Sequence, residues 1–272
     1  MNASVDAFFF PTSDNLRLMG VARGPQDAAL AWVLCPPFAE EEKSSRRILT
    51  LISQQLAARG VASLLFSFRG TGDSQGHFVD ADLGAWRRDL RAAREELQRR
   101  APDASIAFLG VRLGASLALQ EAEDLGAQQL ILVEPLLSGR SFLMQQSAKK
   151  QIRAQLTGET PIEETQSAPK TAPPADDLDG WQLGATMKSE LSALDLRRET
   201  PHFSGEISIL QVGPREEVAP PLQEFSGRLN ARARAVVRAV SMPPFWNLID
   251  APDPAPLLKA LENEFWPEAS PD

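Results

Sequence analysis

The 272-residue sequence contains one cysteine, two histidines and no uninterrupted apolar run approaching 18 residues. With Cys35 alone, no internal disulfide can form, and a reducing compartment is expected. An apolar run below about 18 residues is too short for a transmembrane helix, so no membrane span is expected. The opening stretch "MNASVDAFFFPTSDN" lacks the basic region and the longer apolar run of a signal peptide. A cytoplasmic location is therefore expected. Basic residues are also in deficit: 28 Lys and Arg against 36 Asp and Glu give a formal net charge of -8. That balance argues against a nucleic-acid partner, whose electrostatic footprint is a basic face. The local cluster Arg87, Arg88, Arg91 and Arg94 is interleaved with Asp89, Glu95 and Glu96 and reads as a solvated helix face. Neither histidine sits in a ligand-spaced cluster, so no metal and no cofactor are expected.

What is present is an alternation of strand-like and helix-like segments. Hydrophobic content of 43% and charged content of 24% suit a soluble globular chain. "AFFF" and "LRLMGVA" flank the turn-prone "PTSDN" and predict an antiparallel edge hairpin. "ALAWVLCPP" (29–37) is a buried-strand run, and apolar spacing predicts a helix over 44–59. Strand 61–68, a helix over 82–100 with Trp86, Leu90 and Leu97 on one stripe, and the strand "ASIAFLG" follow. A helix from "VRLGASLALQEAEDLG", the strand "QQLILVEP", strand 207–213, a helix near 220–231, strand 234–240 and a helix near 254–266 complete the pattern. Five or six parallel strands joined by right-handed crossovers are the economical arrangement.

One interval breaks the alternation. Residues 138–205 are too long for an ordinary crossover, and "TGETPIEETQSAPKTAPPADDLDG" within them is rich in Pro, Thr, Glu and Asp. The division predicted is a core over 1–137 and 206–272 and a helical lid over 138–205, with a flexible loop near 157–179. A lid there would cover the carboxyl ends of the strands, where open α/β sheets place ligands.

"FLGVRLGASLAL" (108–119) carries the chemistry question. Gly110 and Gly114 have the spacing of a G-x-S-x-G nucleophile elbow between strand and helix, but Arg112 stands where the serine belongs. Five blocks carry a family resemblance: "LCPPFAEEEKSSRR", "SFRGTGDSQGHFVDADLGAWRRDL", "GVRLGA", "VEPLLSGRSFL" and "PPFWNLID". With them the sequence resembles the α/β-hydrolases of the serine-aminopeptidase-like group. It is most similar to the hydrolase-like proteins associated with exosortase A and exopolysaccharide gene clusters. The resemblance implies an α/β-hydrolase fold, a mostly parallel sheet flanked by helices with a helical lid insertion. It also implies Arg within the elbow as a feature of the subgroup.

Carried over by position, the hydrolase roles put the oxyanion hole at the backbone N–H groups of Phe38 and Leu113. The acid falls at Glu216, with Glu217 beside it. The general base falls where Phe245 and Trp246 stand. Arginine stays protonated and offers no lone pair, and neither Phe nor Trp shuttles a proton, so a Ser-His-acid mechanism is excluded at these positions. A substitute Ser74–His77 dyad, oriented by Asp73 or Asp80, is one alternative; a glycine-shaped loop in which Ser74 bonds locally is the plainer one. His202 reads as a loop histidine, Ser116 as a helix packing residue, and Cys35 as a buried apolar residue.

A cation at a helix N-terminus opposes the helix dipole, so Arg112 needs a partner. Pairing with Glu216 or with one of Glu40, Glu41 and Glu42 would seal the site. Alternatively, Arg112 and the two backbone donors would cradle an anion, the arrangement a lid favours. The expected function is therefore a hydrolase-like protein binding or processing a small acyl- or carboxylate-bearing metabolite. An inactive binding or scaffold protein and an esterase using Ser74 remain as alternatives.

Overall fold

The structure, a computed structural model, describes residues 5–157, 176–178, 180–199, 202–248, 250 and 252–265. β1 (Val5–Pro11) and β2 (Arg17–Arg23) form the expected antiparallel hairpin. The order continues with β3 (Leu30–Cys35), α1 (Glu40–Ala58), β4 (Ala62–Phe66), α2 (Leu83–Arg100), β5 (Ser105–Val111), α3 (Leu113–Glu121) and β6 (Gln129–Val133). After α4 (Gly139–Thr157), β7 (Asp176–Leu178), β8 (Trp181–Leu183) and α5 (Ala185–Ala193) come β9 (Glu206–Gly213), α6 (Pro220–Leu229), β10 (Arg234–Ser241) and α7 (Ala255–Phe265). The main sheet runs β1-β2-β4-β3-β5-β6-β9-β10. Its six strands from β4 to β10 are mutually parallel, while β2 joins β4 antiparallel.

Strands buried on both faces read as continuous apolar runs, and this sheet shows why. Along β3, Ala31, Val33 and Cys35 face one core, and Trp32 and Leu34 the other. α2, α3 and α6 cover the first side through Trp86, Leu90, Leu117 and Phe225. The opposite side is closed by α1 and α7 through Ile48, Ile52, Leu56, Leu257 and Leu261. Each such fully buried side chain contributes about 1.5–3 kcal/mol. Of the arginine cluster on α2, Arg87 and Arg91 reach Glu121 at 3.4 Å each, and Arg94 donates to the Leu125 carbonyl. The cluster thus also ties α2 to α3.

Two boundaries differ from expectation. α1 begins at Glu40, not Ser44, because Glu40, Glu41 and Glu42 fill its first turn, where carboxylates suit the helix dipole. The loop expected near 157–179 lies mostly outside the described residues, and its end, Asp176–Leu178, pairs with Trp181–Leu183. Between β6 and β9, α5 buries Met187 and Leu191 against the core. A Cβ on Gly139 would lie 1.8 Å from the Leu191 carbonyl oxygen, so α4 can begin against α5 only with glycine there. Glu190 accepts the Leu83 N–H at 2.6 Å, fixing α5 to the start of α2.

Candidate functional site

The turn between β5 and α3 has the geometry of an elbow, with arginine at its centre. Arg112 links β5 to α3 with φ 54 and ψ -120, a conformation that side chains other than glycine rarely adopt. Such backbone costs about 1–3 kcal/mol and persists only where its surroundings hold it. They do so here: the Arg112 N–H donates to the Val133 carbonyl at 2.9 Å. A Cβ on Gly110 would stand 2.4 Å from the Ala115 Cα, and one on Gly114 would stand 2.3 Å from the Pro36 carbonyl oxygen. Both glycines are demanded by close approach.

Of the partners weighed for Arg112, Glu41 is the one the structure provides. Arg112 Nε lies 3.2 Å from Glu41 Oε2, and Nη2 lies 3.3 Å from Oε1. The guanidinium also sits 5.0 Å from the ring centroid of Trp246. Trp246 and Phe245 pack edge to face at 4.9 Å in a short 3-10 turn over 245–247, and both are buried. Trp246, at the position to which the resemblance assigns the general base, thus packs against the arginine. Burial pushes the Glu41 carboxyl above its ordinary range, and the Arg112 charge opposes that rise.

The other acids go elsewhere. Glu216, placed by motif at the acid position, is exposed, and so is Glu217, in the loop between β9 and α6; neither contacts Arg112. Glu40 faces solvent and pairs with Lys43 at 2.8 Å. Glu42 is buried and accepts from Ser67 Oγ at 2.9 Å.

A carboxylate that the motifs did not single out stands closest to the site's open space. Glu134 follows β6 with φ 46; its N–H donates to the Leu210 carbonyl at 2.8 Å, and its Oε2 accepts the Val212 N–H at 3.0 Å. Burial pushes its carboxyl pKa up, against the opposing pull of the Val212 N–H and of Arg112. The only sequence signal is its place in "VEP", the carboxyl end of the expected strand "QQLILVEP", which the structure closes at Val133. Arg112 and Glu134 share the lining of a cavity of about 590 Å³ with Leu136, Phe142, Arg215 and Leu222. The cavity lies at the carboxyl ends of β6 and β9, beneath the start of α4.

The backbone donors assigned by position are both at this end of the sheet. Leu113 is the first residue of α3, whose N–H has no acceptor within the helix. The Phe38 ring is buried among Phe142 at 5.4 Å, Trp86 at 5.6 Å and Phe78 at 6.4 Å.

Ser74 and His77 are not hydrogen-bonded to each other. Ser74 Oγ is buried, donates to the Ser67 carbonyl at 2.7 Å and accepts the Met19 N–H at 2.9 Å. His77, Asp73 and Asp80 are exposed. The same loop carries an unforeseen network. Arg69 binds the fully buried Asp89 through Nε at 2.9 Å and Nη2 at 2.7 Å, and Asp14 through Nη1 at 2.6 Å. Elsewhere, His202 Nδ1 lies 2.8 Å from Arg232, and Ser116 Oγ donates to the Leu136 carbonyl at 2.9 Å. Burial pushes the Cys35 thiol far up. Among the described residues no cluster of three or more His, Cys, Asp or Glu could hold a metal ion. Nor is any described helix long and apolar enough to cross a membrane.

Solved structures place this architecture. An esterase of Pyrococcus furiosus superposes with a TM-score of 0.65 at 16% identity, covering 97% of this chain and 90% of its own. Est1E of Butyrivibrio proteoclasticus, solved with ferulic acid, gives 0.66 at 16% identity over 95% and 97% of the two chains. XC6422 of Xanthomonas campestris, described as an α/β serine hydrolase without a lid, gives 0.56 at 19% identity over 98% and 97%. The chain has the α/β-hydrolase fold. No family model matches the sequence, and no curated protein matches it. Within this fold, the turn from β5 to α3 holds arginine at its centre. The cavity lies where the fold gathers its loops.

Proposed function

We propose that this hydrolase-fold protein binds a small acyl- or carboxylate-bearing ligand in the cavity between Arg112 and Glu134, with the serine and histidine of the triad replaced. The observation that carries the reading is the roughly 590 Å³ cavity beside an intact elbow turn whose central residue cannot attack a carbonyl. Apolar Leu136, Phe142 and Leu222 suit an acyl body, and Arg215 at the rim suits a carboxylate. The Phe38 and Leu113 N–H groups are proposed as further donors. The motif blocks around Pro36, Arg69 and Arg112 support placing the chain with the exosortase- and exopolysaccharide-associated hydrolase-like proteins. The single, buried Cys35 supports a reducing compartment.

The esterase alternative draws on the names of the structural neighbours and requires Ser74 to be released from both of its hydrogen bonds. One experiment separates the two readings: intact-mass analysis after exposure to a fluorophosphonate, beside calorimetric titration with short-chain carboxylates. Binding is expected in the wild type and should be lost in Ser141→Trp, which fills the cavity, with no covalent adduct in either. A stoichiometric adduct that disappears in Ser74→Ala would instead establish a serine esterase. Absence of both adduct and binding would leave the scaffold reading.

A further inference from the structure

We infer that the cavity ligand carries a hydroxyl group as well as a carboxylate, and that Glu134 selects it; this rests on the ligand-binding reading above. Most polar groups in the lining are already committed. Both ends of the Gln211 amide are engaged, by the Glu217 carbonyl at 3.0 Å and the Ala219 N–H at 2.6 Å. The Ser138 hydroxyl accepts from the Ser141 N–H and hydroxyl at 3.2 Å each. Arg197 is held by Asp195 at 2.8 Å, and Arg112 by Glu41. What remains is the second carboxyl oxygen of Glu134, the exposed Gln145 amide, and Arg215, exposed at the rim without a partner among the described residues.

Charge assigns the ligand's groups to Glu134 and Arg215. A ligand carboxylate beside Glu134 would meet a like charge, so it belongs at Arg215. The group at Glu134 must then be a hydrogen-bond donor. An ammonium would suit a carboxylate in isolation, but the Arg112 charge already acts on Glu134 and disfavours a further cation beside it. A neutral hydroxyl satisfies the Glu134 oxygen without that repulsion. Leu136, Phe142 and Leu222 supply the apolar wall for the chain between the two ends.

The test is titration calorimetry with hexanoate, 3-hydroxyhexanoate, 6-hydroxyhexanoate and 6-aminohexanoate, using the full chain. At least one hydroxy acid is expected to bind the wild type about tenfold more tightly than hexanoate, the scale of one hydrogen bond to a charged group. Glu134→Gly, which accepts the observed φ without strain, should abolish the preference for the hydroxy acid over hexanoate. Arg215→Ala should weaken every carboxylate alike. If hexanoate and both hydroxy acids bind equally, if the preference survives in Glu134→Gly, or if 6-aminohexanoate binds most tightly, the inference falls while the cavity reading stands. If no carboxylate binds the wild type, both fall.

Discussion

The guanidinium of Arg112 lies 3.2 Å from the Glu41 carboxylate, and the two charges are largely withdrawn from water on the way from β5 to α3. The strained elbow therefore presents an ion pair where a hydrolase presents its nucleophile. Arg112→Ser restores the residue type of the motif but leaves Trp246 at the histidine position and Glu41 buried without a counter-charge. It is expected to hydrolyse p-nitrophenyl acetate no faster than the parent. It should also lose about 3 kcal/mol of stability, the low end for breaking a buried pair, because the N–O distances of 3.2–3.4 Å are long. The double variant Arg112→Met, Glu41→Gln should recover most of that loss in urea denaturation. A serine variant with full stability would mean that the pair carries little of the fold.

Gly110 tests the elbow independently of charge. Its missing Cβ would lie 2.4 Å from the Ala115 Cα, and a backbone atom in a packed strand-to-helix turn cannot move aside cheaply. Gly110→Ala is expected to cost about 3 kcal/mol or more, visible as a large fall in melting temperature or loss of soluble protein. A variant melting within 2 °C of the parent, equivalent to about 1 kcal/mol, would contradict the close packing.

These two positions also show which features were legible in the sequence. Glycine spacing and the apolar runs of β3, β5 and β6 gave the elbow and the sheet, because close approach and burial on both faces leave no freedom in residue type. The site was less legible. Glu41, Glu40 and Glu42 are chemically equivalent in sequence, and only the direction of the first turn of α1 decides that Glu41 meets Arg112. Glu216 was placed by a spacing, yet the loop after β9 leaves it in water. Glu134 lay within a resemblance block but carried no assigned role, since its position depends on how β6 pairs with β9 and how Val212 presents its N–H.

The Arg69 network predicts acid sensitivity. Its hydrogen bonds to Arg69 hold the Asp14 carboxyl well below its ordinary value of 3.8. A depressed folded-state value contributes stability that is fully present above the unfolded value and lost as pH falls through the folded one. Asp89 does not add to this slope, since burial pushes its carboxyl the other way. The Asp14 contribution should therefore be lost progressively below about pH 4, the unfolded range of Asp. Asp14→Asn should be less stable at pH 7 and show a shallower decline toward pH 2 in thermal melts. Parallel pH profiles for the two proteins would show that Asp14 and Arg69 are not coupled in solution.

Ser74 separates a fold residue from a catalytic one. Its hydroxyl both donates to the Ser67 carbonyl and accepts the Met19 N–H, so it joins β2 to the loop after β4. Ser74→Ala leaves the partly buried Met19 N–H without its acceptor, a loss of about 1–3 kcal/mol. Carboxylate binding in the cavity, which Ser74 does not line, should be unchanged at temperatures where the variant is folded. Ser74→Thr restores the hydroxyl and should recover part of the stability, limited by fitting a methyl group into a buried position. Unchanged stability in Ser74→Ala together with lost reactivity toward a fluorophosphonate would reverse the assignment, making Ser74 a nucleophile that the hydrogen bonds only park.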